Sequence, residues 1–126
     1  MAMDNFGTIA IVDDDAAVLD SLRFLLEVSG HQVATYRSAA DFLAGDNRAA
    51  ECMIVDHHMP QMTGLELIAR LNAEPMRRHI MLITGSLTPA ISERAAALGV
   101  AKVLEKPPGD NELLDFVNAC AAGWAG

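Results

Sequence analysis

Cys52–Pro60 reads CMIVDHHMP: four apolar residues run into a carboxylate, two adjacent histidines and a proline. An apolar run this short and uninterrupted fits a strand covered on both faces, the kind found in parallel sheets sandwiched between helices. A lone acid where such a strand stops suggests a nucleophile. Adjacent histidines suggest a metal, so the two readings predict different proteins.

Working outward from this run, the pattern repeats. TIAIV (Thr8–Val12) precedes a helical spacing of Val18, Leu22, Leu25 and Leu26, which Gly30 stops. QVATY (Gln32–Tyr36) precedes a short helix around Ala39–Leu43, where Ser38 followed by Asp41 resembles a helix-start pairing. CMIVD leads through Met59-Pro60 and Gly64 into a helix carrying Leu65, Ile68 and Leu71. IMLIT (Ile80–Thr84) precedes a helix with Pro89 near its start and Ile91, Ala95 and Leu98 on one face, ended by Gly99. KVLE (Lys102–Glu105) precedes Pro107-Pro108 and a last helix bearing Leu113, Val117 and Ala121. Strict alternation of strand and helix demands a parallel sheet with right-handed crossovers, so the fold class is doubly wound α/β.

Length and composition set the bounds. A chain of 126 residues, 52% hydrophobic, fits one domain over residues 1–126 with ample material for a core. A formal net charge of -8 argues against this segment wrapping nucleic acid, which needs concentrated Lys and Arg. Cys52 and Cys120 sit in apolar surroundings and read as buried free thiols rather than a disulfide framework. MAMDNFG lacks the pattern of a signal peptide, no apolar run reaches membrane-spanning length, and the tail AAGWAG is too short for another domain. The expectation is a cytoplasmic protein with no membrane contact.

In doubly wound sheets ligands bind beyond the carboxyl ends of the strands, so the residue after each apolar run is the informative one. After TIAIV come Asp13, Asp14 and Asp15; after CMIV comes Asp56; after IMLI comes Thr84; after KVLE comes Lys106. Crowded carboxylates repel, and a hard cation such as Mg2+ bound through oxygen relieves them. A hydroxyl that donates to a phosphoryl oxygen and an ammonium opposite it complete a set suited to phosphoryl transfer, with Asp56 as the acid that becomes an aspartyl phosphate. Each residue also has an ordinary explanation. An acid after a strand is often a helix cap, as expected of Asp15, and Thr84-Gly85 fits common turn chemistry. Their joint placement carries the argument.

These residues resemble the receiver domain of two-component response regulators over nearly the whole chain, through IVDDD (Ile11–Asp15), VDHHMPQMTG (Val55–Gly64), ITG (Ile83–Gly85) and LEKP (Leu104–Pro107). SLRFLLEVSGHQV and YRSAADFL are most similar to the FixJ-type subgroup. The resemblance implies a CheY-like, flavodoxin-like sheet of five parallel strands in the order 2-1-3-4-5, with five helices. It implies that Asp56 accepts a phosphoryl group from a histidine kinase or histidine phosphotransfer protein. Mg2+ (or Mn2+) would be held by Asp14, Asp56 and the backbone carbonyl of His58, with Asp13 assisting through water. Thr84 and Lys106 would bind the phosphoryl oxygens, and the Lys106–Pro107 peptide would be cis. Phosphorylation would then switch the face built from the fourth helix, fifth strand and fifth helix, with a possible homodimer through it. Such a domain is not an enzyme beyond its own phosphorylation and dephosphorylation.

Two departures stand out. Val103 occupies the switch position, three residues before the lysine, where the family usually has Phe or Tyr. Pro108 follows Lys-Pro where an aromatic is common. The histidines are expected to point apart as loop neighbours and so to share no metal, with no third ligand at a zinc spacing. The resemblance gives His58, two residues after Asp56, a role in timing hydrolysis, with Ser86 as its companion; His31 and His79 offer nothing sharper. Competing functions are a Mg2+-dependent phosphohydrolase with an aspartyl nucleophile, for whose cap this chain has no spare length, and a phosphorylation-independent interaction module. Ile91, Ala95, Ala119 and Ala122 read as core or as a partner face.

Overall fold

The computed structural model describes residues 8–45, 50–74 and 78–123, the side chains of 121–123 excepted. Five strands alternate with five helices: β1 (Thr8–Val12), α1 (Ala16–Val28), β2 (Gln32–Tyr36), α2 (Ala39–Ala44), β3 (Cys52–Asp56), α3 (Gly64–Leu71), β4 (His79–Thr84), α4 (Pro89–Ala97), β5 (Lys102–Glu105) and α5 (Asp110–Gly123). All pairings are parallel and the order is β2-β1-β3-β4-β5, as the resemblance implies.

Period-two alternation divides the central strands between two cores. Ile9 and Ile11 of β1, Cys52 and Ile54 of β3, and Met81 and Ile83 of β4 meet Leu19, Leu22 and Leu26 of α1 and Leu113, Phe116 and Val117 of α5. Ala10, Val12, Met53, Val55, Ile80 and Leu82 face the other way, against α2, α3 and α4, with Phe42 and Leu67 fully buried. Each fully buried Val, Leu, Ile, Phe or Met side chain here stabilises the fold by about 1.5–3 kcal/mol, and the central strands carry polar residues only at their ends, as with Thr8 and His79 at the starts of β1 and β4. Ile91 and Ala95 join this second core, whereas Ala119 is exposed. The side chains of Ala121 and Ala122 and the segments MAMDNFG and Trp124–Gly126 lie outside what the structure describes.

Local chemistry starts and stops the helices. Asp15 caps α1, accepting from the Ala17 and Val18 N–H groups, and Ser38 caps α2 by accepting from Asp41. Gly30 (φ 97) and Gly99 (φ 78) turn the chain away after α1 and α4. The sequence pattern gives the opening of α3 to Gly64, but the cap is Thr63, which forms a reciprocal capping box with Glu66. Gly64 is required for a different reason. A Cβ there would lie 2.6 Å from the Asp56 carbonyl oxygen and 2.9 Å from His57 Cα, so only glycine lets α3 start this close to the end of β3. Cys52 and Cys120 are free and buried, and their thiols touch between β3 and α5. That contact, together with burial, pushes the Cys52 thiol well above the ordinary range, which keeps it from ionising.

Candidate functional site

The sheet order reverses between β1 and β3, and the chain leaves both strands at the same edge carrying an acid. Among the described residues only three polar or charged residues are buried, and all three lie here: Asp13 (2% exposed), Asp56 (2%) and Thr84 (0%). Asp56 is held by its strand register opposite Ile83, and the His57 N–H donates to the Ile83 carbonyl at 2.8 Å. Thr84 sits one residue further along β4, and its carbonyl accepts from the Lys106 N–H at 2.8 Å, which fixes the turn that delivers the lysine. The Lys106–Pro107 peptide is cis.

Lys106 Nζ lies 3.0 Å from Asp56 Oδ1 and 3.5 Å from Asp13 Oδ2. Asp13 Oδ1 also accepts from the Asp15 N–H at 2.9 Å. Burial alone pulls the ammonium toward its neutral form, but Asp56 and Asp13 together outweigh it and hold the Lys106 pKa above the ordinary value. Asp13 moves up as well, because burial and the Asp56 charge outweigh the Asp15 N–H and Lys106. Asp56 Oδ1 is shielded from solvent and, despite the ion pair, has no hydrogen bond of acceptable geometry. The ammonium is thus the charge partner of this oxygen, and a ligand that adds a bond or further positive charge would complete the environment of the buried anion.

Carboxylate oxygens of Asp13, Asp14 and Asp56 all lie within 4.8 Å of one another. Asp14 is the least buried of the three. Three hard oxygen donors fit Mg2+ or Mn2+ and do not fit a soft metal. No described residue donates a hydrogen bond to the His58 carbonyl, which leaves that oxygen free to serve as a further ligand.

The histidines depart from expectation. Their rings pack edge to face with centroids 4.9 Å apart instead of pointing apart, at a tight turn in which the Met59 N–H donates to the His57 carbonyl at 3.0 Å. Among the described residues neither histidine belongs to a group of three or more potential metal ligands. His57 is half-buried and its Nδ1 lies 3.4 Å from the Leu65 N–H, while burial and then the neighbouring His58 push its pKa down. His58 is exposed, yet its Nε2 lies 2.7 Å from Thr84 Oγ1, a contact between two strand ends that no local sequence pattern reveals. Ser86 meets Thr84 through its backbone: its N–H donates to Oγ1 at 3.1 Å, and its carbonyl lies 3.3 Å from the same oxygen. Val103 is half-buried and packs against the core that contains Leu82 and Ala95. His31 Nε2 contacts Asn118 Oδ1 at 3.1 Å and His79 lies 6.5 Å from the Phe116 ring, both remote in sequence from the acid cluster.

Beside Lys106 a groove of about 520 Å³ opens between α1 and the start of α5, lined by Leu22, Phe24, Leu25, Val28, Pro107 and Pro108. Phe24 is 69% exposed and Val28 64%. Sequence reasoning missed both, although a signal existed. They are large apolar residues off the Val18, Leu22, Leu25, Leu26 stripe, and such residues have no core to enter.

A parallel doubly wound sheet with an acid cluster, a hydroxyl and a lysine at its switch-point edge defines a receiver-type α/β domain. Residues 9–118 match the family model described as the response regulator receiver domain. The transcriptional regulatory protein FixJ of Azorhizobium caulinodans is 41% identical over 110 residues, covering 86% of this chain and 52% of that protein. TdiR of Thauera aromatica is 34% identical, covering 94% of this chain and 52% of that protein. A crystal structure of FixJ-N superposes with a TM-score of 0.80 at 29% identity, over 92% of this chain and 94% of that one. The chain therefore belongs to the response regulator receiver family of two-component signalling. It spans about half the length of the curated relatives it matches. None of the described helices is long and apolar enough to cross a membrane.

Proposed function

We propose that the domain accepts a phosphoryl group on Asp56 from the phosphohistidine of a histidine kinase or histidine phosphotransfer protein and passes the change to the face built from α4, β5 and α5. The observation that carries this reading is Asp56 Oδ1, buried, without a hydrogen bond, and 3.0 Å from Lys106 Nζ. A carboxylate oxygen of Asp56 attacks phosphorus, the bond from phosphorus to the donor's imidazole nitrogen breaks, and that nitrogen leaves with the electron pair. Lys106 stabilises charge on the phosphoryl oxygens, and Thr84 donates its hydroxyl hydrogen to one of them. Asp14, Asp56 and the His58 carbonyl would hold Mg2+ or Mn2+, with Asp13 acting through water; the bound ion supplies positive charge to the transferring group.

The groove beside Pro107-Pro108 supports one occupant, an apolar helix of the phosphohistidine partner, because it adjoins the residue that follows Lys106 and exposes Phe24 and Val28. A formal net charge of -8 supports a protein partner rather than nucleic acid for this domain, and membership of the receiver family supports a cytoplasmic setting. A homodimer through α4, β5 and α5 belongs to the same reading, although Ile91 and Ala95 face inward and leave Ala119 as its exposed contributor. His58 would time hydrolysis of the aspartyl phosphate, so His58→Lys and His58→Asn are expected to change phosphoryl half-life without abolishing acceptance.

The deciding experiment incubates the protein with acetyl phosphate and Mg2+ and follows acid-labile phosphate by intact mass. Wild type is expected to gain one phosphoryl group and Asp56→Asn none. Labelling of both would place the acceptor elsewhere. Absence of labelling in wild type would favour a phosphorylation-independent module, and turnover of small phosphate esters would favour a phosphohydrolase.

A further inference from the structure

Thr84 Oγ1 gathers more contacts than any other side-chain atom described at this edge. It lies 2.7 Å from His58 Nε2, 3.1 Å from Ser86 N and 3.3 Å from Ser86 O, in a residue with no solvent exposure. The Ser86 N–H donates to it. The hydroxyl's single hydrogen goes to the Ser86 carbonyl when His58 Nε2 carries a proton, and to Nε2 itself or to that carbonyl when it does not. None of the three contacts is Asp56. An aspartyl phosphate presents only acceptors to a hydroxyl, so Thr84 can serve it only by withdrawing its hydrogen from this set.

The same set shapes the loop that leads to α4. After Ser86, the Leu87 N–H donates to Glu105 Oε2 at 3.1 Å, and Thr88 caps α4 through the Ile91 N–H at 3.2 Å. Releasing Thr84 from Ser86 therefore loosens the segment joining β4, the end of β5 and the N-terminus of α4. Val103, in this same region, is a branched side chain with a restricted χ1 and packs into the core, so it has no ring to swing.

The geometry points to His58 as a positioning residue that latches Thr84 in its resting arrangement; with valine at 103, this hydrogen bond sets the gap between the resting and activated loops. The inference rests on Asp56 being the phosphoacceptor. The latch lowers the population of the activated arrangement before phosphorylation, and breaking it brings the domain nearer to activation.

The test titrates beryllofluoride, with saturating Mg2+, into wild type, His58→Ala, His58→Phe, Thr84→Val and the His58→Ala/Thr84→Val double variant, reading amide shifts of Ser86–Ile91. Both single His58 variants should bind about twofold to tenfold more tightly, the range of one net hydrogen bond. In the Thr84→Val background His58→Ala should add nothing, since the hydroxyl it acts through is gone. Unchanged or weaker binding in both His58 variants overturns the latch, as does an equal gain with Thr84→Val. A second readout needs no phosphoryl analogue: in the ligand-free protein Thr84→Val should shift the ring nitrogens of His58, and unchanged resonances overturn the contact itself. If wild type binds no analogue, while Asp56→Asn behaves alike, it is the phosphoacceptor reading that fails, and the latch falls with it.

Discussion

The ends of β3 and β4 lie side by side in the sheet and are buried alike, but they treat their polar groups in opposite ways. At β4, Thr84 Oγ1 has three contacts within 3.3 Å. At β3, Asp56 Oδ1 has an ion pair with Lys106 and no hydrogen bond. A group with several hydrogen bonds rests in place, and a buried anion held by an ion pair alone retains capacity for a further ligand. Thr84 is thus held and Asp56 left open, an asymmetry that fits the proposed reading, in which chemistry begins at one strand end and is read at the other.

Removing Lys106 breaks this contrast most severely. Lys106→Met leaves Asp13 and Asp56 crowded without their cation, and it is expected to slow phosphorylation by acetyl phosphate about 10²–10³-fold, the usual cost of losing one preorganised charge. Stability should also fall in metal-free buffer, by less than the about 3–5 kcal/mol typical of a fully buried pair, because the Lys106 side chain is 30% exposed. Addition of Mg2+ should restore part of the stability and little of the rate. Stability unaffected by the variant in metal-free urea unfolding would mean that the carboxylates do not need the ammonium at rest.

Asp13→Asn sharpens the comparison from the other side. Burial, with the Asp56 charge, holds the Asp13 carboxyl above the ordinary carboxylate range, so its ionised form costs the fold stability. A raised folded-state pKa contributes stability that is complete below the unfolded value and is lost as pH rises through the folded one. Metal-free Asp13→Asn should therefore be more stable than wild type at pH 7, with the advantage shrinking in acid. Mg2+ affinity should drop by about 10–100-fold, as for loss of a residue that orients metal ligands. Thermal melts with and without Mg2+ check both signs; a loss of stability in the absence of metal would show that Asp13 pays its way through Lys106.

Much of this arrangement was legible in the sequence because it depends on local pattern. Apolar runs at β1, β3 and β4 and the helical spacings between them point to a doubly wound parallel sheet, the strand order follows from the family resemblance, and the residue after each run is Asp13, Asp56, Thr84 or Lys106. Asp15 and Ser38 were readable as caps because capping acts within three residues. The bond from His58 to Thr84 was not readable, because strand pairing in three dimensions brings together residues 26 apart in sequence. The packing of His57 on His58 was misread for a related reason. Loop neighbours diverge by default, whereas here the rings meet at the turn closed by the Met59 N–H on the His57 carbonyl. The sequence marks Gly64 only as a helix opener, since nothing in it reveals how closely its Cα approaches Asp56.

That approach yields the next prediction. Gly64→Ala places a methyl group 2.6 Å from the Asp56 carbonyl oxygen and 2.9 Å from Leu82 Cδ1. Backbone cannot yield as a flexible side chain does, so a cost of about 1–3 kcal/mol in urea unfolding is expected, together with slower phosphorylation as β3 shifts its acid. Unchanged unfolding would show that α3 can back away from the strand.

Thr63→Ala is the smallest perturbation, and it separates the loop's outer support from its inner one. The Thr63 N–H donates to Glu66 Oε1 at 2.9 Å and the Glu66 N–H to Thr63 Oγ1 at 3.2 Å, both in exposed positions. Losing the hydroxyl should cost about 1 kcal/mol of stability. Phosphorylation should stay at the wild-type rate, because the loop's inner edge is fixed independently, by the Gly64 N–H on the His57 carbonyl at 3.0 Å and the His57 N–H on the Ile83 carbonyl at 2.8 Å. If Thr63→Ala instead slows acceptance by as much as Gly64→Ala, the acceptor is positioned through the start of α3 as a whole. The openness of Asp56 would then be a property of that helix as well as of the strand that ends in it.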